Sequence, residues 1–133
     1  MTLGVRVIVE NERHEILLVR HTYVSGWYLP GGGVETGETM QQAAIKELNE
    51  EANIKVTGEL ELLGIYKNAK ASKRDHVALF KCTQWEQLAE FEPNLEIAET
   101  GFFALEELPD SLTEATQRRL DEVYGDTAQS QYW

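Results

Sequence analysis

Apolar and polar positions alternate along Leu3–Glu10 (LGVRVIVE) with β-branched residues, which predicts a strand. Asn11–His14 is polar and predicts a turn. Glu15–Arg20 (EILLVR) predicts a second strand, and the two are expected to pair as a hairpin. The following HTYVSGWYLPGGG is aromatic, then rich in glycine. Pro30 followed by Gly31, Gly32 and Gly33 predicts a loop, because neither a helix nor a central strand accommodates that run. Thr39 is a good helix N-cap, and Gln42 falls at the third helical position, the spacing of a capping box. Helix-forming residues continue through Ala52, and Asn53 stands where a helix commonly ends in a left-handed residue. Beyond it the pattern predicts a strand around Leu60–Tyr66, a basic loop at Lys67–Arg74, and a strand at His76–Thr83. A short strand at Glu99–Ala104, a turn at Leu105–Pro109 and an amphipathic helix at Thr113–Tyr124 follow. The tail Gly125–Trp133 is expected to be loosely held, with Tyr132 and Trp133 available to dock. Strands, one helix, more strands and a last helix imply an α/β fold, a mixed sheet covered by helices.

Composition narrows the classes. The 133 residues contain no repeat or linker, so one domain over 1–133 is expected. No run approaches about 18 apolar residues, which argues against a transmembrane helix. The start, MTLGVRVIVE, has charges at Arg6 and Glu10 and does not read as a secretory signal. Cys82 is the single cysteine, which excludes an intrachain disulfide and a four-cysteine zinc site; a cytoplasmic address is expected. Twelve Lys and Arg oppose 23 Asp and Glu, for a net charge of −11. That excess repels phosphate backbones, so neither a nucleic-acid partner nor a membrane role is expected. It suits collecting divalent cations as well as plain solubility.

The candidate chemistry lies on the first helix. Glu47, Glu50 and Glu51 are three and four residues apart and share a face beside an expected core stripe of Ala44, Ile45, Leu48 and Ala52. Each like-charge pair costs an isolated helix about 0.2–0.5 kcal/mol, so helix stability does not call for this arrangement. Hard cations do, since carboxylate oxygens are ligands of Mg²⁺ and Mn²⁺. The Gly31–Gly33 loop can fold back beside this helix, where glycine lets backbone groups approach a metal or a phosphate.

The stretch Gly32–Ile54 (GGVETGETMQQAAIKELNEEANI) resembles the Nudix box of MutT-like hydrolases. That box reads Gly, five residues, Glu, seven residues, then Arg-Glu-aliphatic-x-Glu-Glu-x-Gly-aliphatic. Gly32, Glu38, Glu47, Leu48, Glu50, Glu51 and Ile54 fit; Lys46 replaces the Arg and Asn53 the Gly. The resemblance implies an α/β/α sandwich around a mixed β-sheet. It also implies a pyrophosphohydrolase, dependent on Mg²⁺ or Mn²⁺, acting on a nucleoside diphosphate linked to another moiety, such as a nucleoside triphosphate or a nucleotide sugar. By position, Glu47, Glu50, Glu51 and the Gly31 carbonyl would be metal ligands. Glu47 and Glu50, with Lys46 at the arginine position, would be catalytic. Gly32 and Glu38 would form a loop–helix clamp, Glu38 pairing with Lys46. Related enzymes often add an acid from a late loop; Glu96 and Glu99 are candidates, with Glu99 preferred. Arg20, Trp27 and Tyr28 are candidate substrate-binding residues, the aromatics by stacking on a base. Homodimers are frequent in the family. The alternative is a nucleotide-sensing module on the same fold without turnover, which Lys46 leaves open and the intact glutamate set argues against.

Overall fold

The structure is a computed structural model that describes residues 2–133. In order, the elements are β1 (Thr2–Val9), β2 (Ile16–His21), β3 (Trp27–Tyr28), β4 (Gly31–Gly33), α1 (Met40–Ala52), β5 (Ile54–Val56), β6 (Glu61–Lys67), β7 (Asp75–Cys82), β8 (Trp85–Gln87), β9 (Ile97–Phe103) and α2 (Glu114–Tyr124). A 3₁₀ turn at Leu105–Glu107 lies before α2. Four strands form a mixed sheet in the order β4-β1-β7-β6, in which β1 and β7 are parallel. A second sheet has the order β3-β2-β9, and β5 and β8 form a two-stranded ribbon.

Two cores lie on opposite faces of β1 and β7. Val5, Val7, Val9, Ala78 and Phe80 pack with Ala43, Ala44, Leu48 and Ala52 of α1. On the other face, Ile8 and Leu79 pack with Tyr66, Trp27 and Leu120 of α2. Helices thus cover both faces, the α/β/α sandwich expected from the sequence.

Helix α1 forms for the reasons read in its sequence. The Gln42 amide donates to Thr39 Oγ1 (3.0 Å), and the Thr39 amide donates to Gln42 Oε1 (2.9 Å), closing the capping box. Asn53 ends the helix at φ 54°, ψ 39°, in the left-handed region. Ile45, expected in the core stripe, is instead 42% exposed, and Ala43 is buried in its place. The buried arc is therefore turned toward Glu51, which is itself buried.

Three other expectations are corrected. β1 and β2 do not form a hairpin. The turn between them closes, with the Asn11 amide bonded to the Glu15 carbonyl (3.1 Å), but the strands then enter different sheets. Ile16 to Val19 are all buried; a strand covered on both faces carries no alternation by which to choose its partner. Gly31–Gly33 is not a loop but an edge strand, paired antiparallel with Gly4–Arg6 of β1. The tail is docked. Its Gln131 carbonyl accepts from the Lys67 amide (2.8 Å), and the Trp133 amide donates to the Lys67 carbonyl (2.9 Å). β5 and β8 were not foreseen. They are three residues each, too short to show a period.

Candidate metal and diphosphate site

The glycine strand and the acidic helix face meet. Pro30 and Val34 bond to β1 through the Val7 amide (3.0 Å) and the Leu3 carbonyl (2.9 Å), and Gly32 stands opposite Val5. Antiparallel alternation therefore turns the polar groups of Gly31 away from β1, toward α1. There the Gly31 amide donates to Glu51 Oε1 at 2.7 Å, in a buried hydrogen bond. Glu47 lies across the neighbouring glycine: a methyl group at Gly32 would sit 2.6 Å from its carboxylate. A methyl group at Gly31 would collide with the Val5 backbone carbonyl. Both glycines are needed here because something passes too close for a side chain.

Burial pushes the Glu51 carboxyl up to about 7, opposed by the Gly31 amide and the Arg6 charge and reinforced by Glu47 and Glu96. Burial also raises Glu47, and the neighbouring Glu50 charge adds to it. Glu50 is exposed at the helix surface, beside a cleft formed with Asn53 and the segment Ala89–Asn94. Among the described residues, no three acidic, His or Cys side chains converge on one point as a closed metal cage. The donor set nevertheless fits a hard divalent cation. It consists of carboxylate oxygens and a backbone edge, crowded so that the acids resist ionising, and a cation relieves that crowding.

The turn before the helix is clamped. Lys46 Nζ lies 2.9 Å from Glu38 and 3.5 Å from Glu35. Glu38 also accepts the Glu35 amide at 2.9 Å. That amide and the Lys46 ammonium hold the Glu38 carboxyl below its usual range.

Other sequence candidates separate. Glu99 is not among the acids that chiefly act on Glu47 or Glu51. It pairs with Arg20 across β2 and β9 at 3.1 Å, which occupies Arg20 as well. Glu96, the candidate ranked second, is the late acid whose charge bears on Glu47 and Glu51. Trp27 is only 8% exposed, packed edge-on against Phe103 with ring centroids 5.0 Å apart. It is a core residue and is not available to stack on a base. Tyr28, its neighbour on the other face of β3, is half-buried and borders a cavity.

Arg6 was missed as a site residue. Its Nη1 donates to the Leu29 carbonyl at 2.7 Å, and its guanidinium lies 5.8 Å from the centre of the Tyr28 ring. Burial opposes its charge, while Glu51 and Glu47 favour it. The sequence did carry a signal, a lone cation inside the apolar strand LGVRVIVE. Arg6 borders two neighbouring cavities. One, of about 200 Å³, is lined by Tyr28, Asn68, Thr113, Thr116 and Trp133 among others. The second, of about 290 Å³, runs along Gly4, Gly32, Gly33 and Asn68, again with Trp133. Arg6 thus stands on the wall of an aromatic-lined pocket, and its charge is felt by Glu51 and Glu47.

Comparison with known proteins agrees with this arrangement. The NUDIX domain family model matches residues 1–124. A Bacillus subtilis (strain 168) protein named "Putative 8-oxo-dGTP diphosphatase" is 35% identical over 89 residues, 67% of this chain and 59% of that protein. Human diphosphoinositol polyphosphate phosphohydrolase 2 is 38% identical over 81 residues, 56% of this chain and 44% of that protein. The matched stretches thus span less than two-thirds of these relatives' length. Among solved structures, a MutT NUDIX hydrolase from Burkholderia pseudomallei superposes with a TM-score of 0.76 at 26% identity, covering 92% of this chain and 97% of that one. A UDP-X diphosphatase superposes with a TM-score of 0.74 at 29% identity, covering 98% and 66%. Box, fold and family model coincide, and the chain belongs to the NUDIX family.

Proposed function

We propose that this chain is a pyrophosphohydrolase dependent on Mg²⁺ or Mn²⁺ that cleaves a nucleoside diphosphate linked to another moiety. Nucleoside triphosphates come first as substrates, nucleotide sugars second and dinucleoside polyphosphates third. The observation that carries the reading is the junction of Glu51 with the Gly31 amide, with Glu47 lying across Gly32. It brings the acidic helix face against an open backbone edge.

Glu47, Glu50, Glu51 and the Gly31 carbonyl would hold the metal. When bound, a divalent ion neutralises the diphosphate and lowers the pKa of a coordinated water. The rest falls to the chain's own groups. The Lys46–Glu38 pair holds the turn 35–38 against α1 and so fixes where Glu47 points. The Gly31 amide fixes the Glu51 rotamer. Arg6, whose charge Glu51 and Glu47 favour, would supply positive charge for the diphosphate. Positioning and charge stabilisation of this kind supply most of the acceleration in phosphoryl-transfer chemistry. Glu96 replaces Glu99 as the proposed acid outside the box.

The proposal extends to one domain across 1–133, a cytoplasmic address and a small-nucleotide partner. Among the described residues, no helix is long and apolar enough to cross a membrane. The net charge of −11 disfavours long polyanions, whose binding needs several cationic contacts. The test is a phosphate-release panel at equal phosphate concentration, covering the three nucleotide classes and a triphosphorylated RNA. A small nucleotide is expected to give the highest kcat/KM. An RNA tenfold better contradicts the substrate reading, and tight nucleotide binding without turnover replaces the enzyme by a sensor.

A further inference from the structure

Trp133 lies outside the stretch matched by the family model, yet it borders both cavities that adjoin Arg6. It is held there by several independent contacts. Its amide donates to the Lys67 carbonyl at 2.9 Å. Its own carbonyl oxygen accepts from Arg118 Nη2 and Arg119 Nη1, both at 2.7 Å. The Arg119 guanidinium is fully buried, bonded to Glu122 through Nε and Nη2 at 3.0 Å each, and lies 4.3 Å from the Tyr66 ring centre and 5.0 Å from that of Trp133. The Tyr66 and Trp133 rings meet edge-on at 5.5 Å. A buried, doubly paired arginine between two aromatic rings is a rigid mount.

The mounted indole remains half-exposed. It shares the 200 Å³ cavity with Tyr28 and the Asn68 carboxamide. Two aromatic faces suit a flat, apolar ring system, and a carboxamide offers both a donor and an acceptor to its edge. The cavity is smaller than the roughly 300 Å³ at the low end for drug-sized ligands, which fits a single ring system. Arg6 is on its wall, and Gly32 and Gly33 of the glycine strand line the adjoining cavity.

We propose that Trp133 is a specificity-determining residue that forms an aromatic wall for the nucleobase, so that the chain's last residues select nucleotides over other diphosphates. This rests on the nucleotide reading given above. Stacking one base on one aromatic side chain is the interaction lost when Trp133 is truncated, and its loss raises KM about tenfold or more.

The test compares the intact chain with Trp133→Ala and Trp133→Phe. The nucleoside triphosphate best hydrolysed by the intact chain is used for kinetics. A non-hydrolysable analogue of it and inorganic pyrophosphate are used for binding. Trp133→Ala is expected to raise KM about tenfold with kcat within about threefold, and Trp133→Phe to restore most of the difference. The analogue is expected to quench tryptophan fluorescence in the intact chain and much less in Trp133→Phe, which keeps Trp27 and Trp85. Pyrophosphate is expected to quench neither. Unchanged KM in Trp133→Ala, or equal quenching in Trp133→Phe and the intact chain, overturns the wall. A Trp133→Ala chain that fails to fold leaves the fluorescence comparison to decide. If the intact chain neither turns over nor binds any nucleotide, the proposed function fails and the wall with it. If it does, and the variants behave like the intact chain, the wall alone fails.

Discussion

Glu51 Oε1 accepts a 2.7 Å hydrogen bond from the Gly31 amide, and that bond joins the buried end of an acidic helix face to a glycine edge strand. It explains two unusual features at once. A carboxylate stands in the buried arc of α1, and three glycines stand in a strand, where entropy and lack of packing oppose them.

Glu51→Gln keeps an oxygen to accept the Gly31 amide and removes the charge. Its kcat is expected to fall at least about 100-fold, roughly 2.7 kcal/mol of barrier. Stability is expected to hold or rise. The folded-state pKa of about 7 lies above the 4.5 of a free glutamate. Wild-type stability is therefore eroded as pH rises from 4.5 through 7, and the advantage of the glutamine variant grows over that window. Thermal melts at pH 5 and pH 8 check the sign.

The two glycines are expected to fail differently. Gly31→Ala drives a methyl group into the Val5 backbone, which cannot yield, and destabilises the chain by about 2 kcal/mol or more. Gly32→Ala meets the Glu47 side chain, which can rotate away, so folding largely survives while activity falls. Denaturant midpoints measured beside kcat separate the two.

How much of this was readable in the sequence depends on distance along the chain. The ends of α1 were readable because Thr39, Gln42 and Asn53 act on residues within a turn of themselves. The Glu38–Lys46 pair came from the resemblance, since the loop that brings them together has no periodicity of its own. The pairing of β1 and β2 with different sheets was not readable, because Ile16–Val19 is apolar on both faces. Trp27 could not be told from a surface aromatic, because its burial depends on Phe103 in a distant strand. Glu96 and Glu99 cannot be told apart locally, because nothing in NLEIAET shows that Arg20 lies opposite Glu99. Arg6 was visible as an interruption in a strand, but its closeness to Glu51 depends on β4 lying between β1 and α1.

Lys46→Arg restores the residue common in the box. Unchanged or higher activity is expected, since a guanidinium can bond Glu38 and Glu35 together. A large loss of kcat would show that the turn is built around the slimmer ammonium.

Asn53→Gly is expected to change stability by less than about 1 kcal/mol. Both residues accept φ 54°, and the side-chain bond lost, Asn53 Nδ2 to the Glu90 carbonyl at 3.3 Å, is long and exposed. Chemical denaturation checks this.

Acid stability is expected to depend on Glu10, away from the site. Burial opposes its charge, but hydrogen bonds from Tyr124, His14 and Lys81 outweigh it and bring its pKa down to about 2. Its contribution is thus complete above pH 4.5 and is lost as pH falls from 4.5 through 2. Tyr124→Phe removes the 2.6 Å bond to Glu10 Oε2 and is expected to raise the pH midpoint of acid unfolding.

The central claim, that the acidic face and the glycine strand form a metal-dependent hydrolytic site, is tested most directly by turnover of a nucleoside triphosphate panel. The intact chain is assayed in Mg²⁺, then in excess EDTA, then with Mg²⁺ or Mn²⁺ restored, with Glu50→Gln and Glu51→Gln in parallel. The account predicts turnover in Mg²⁺, none in chelator, recovery on restoring either ion, and a loss of at least about 100-fold in both variants. Full turnover in excess EDTA, or near-normal rates in both variants, would contradict it.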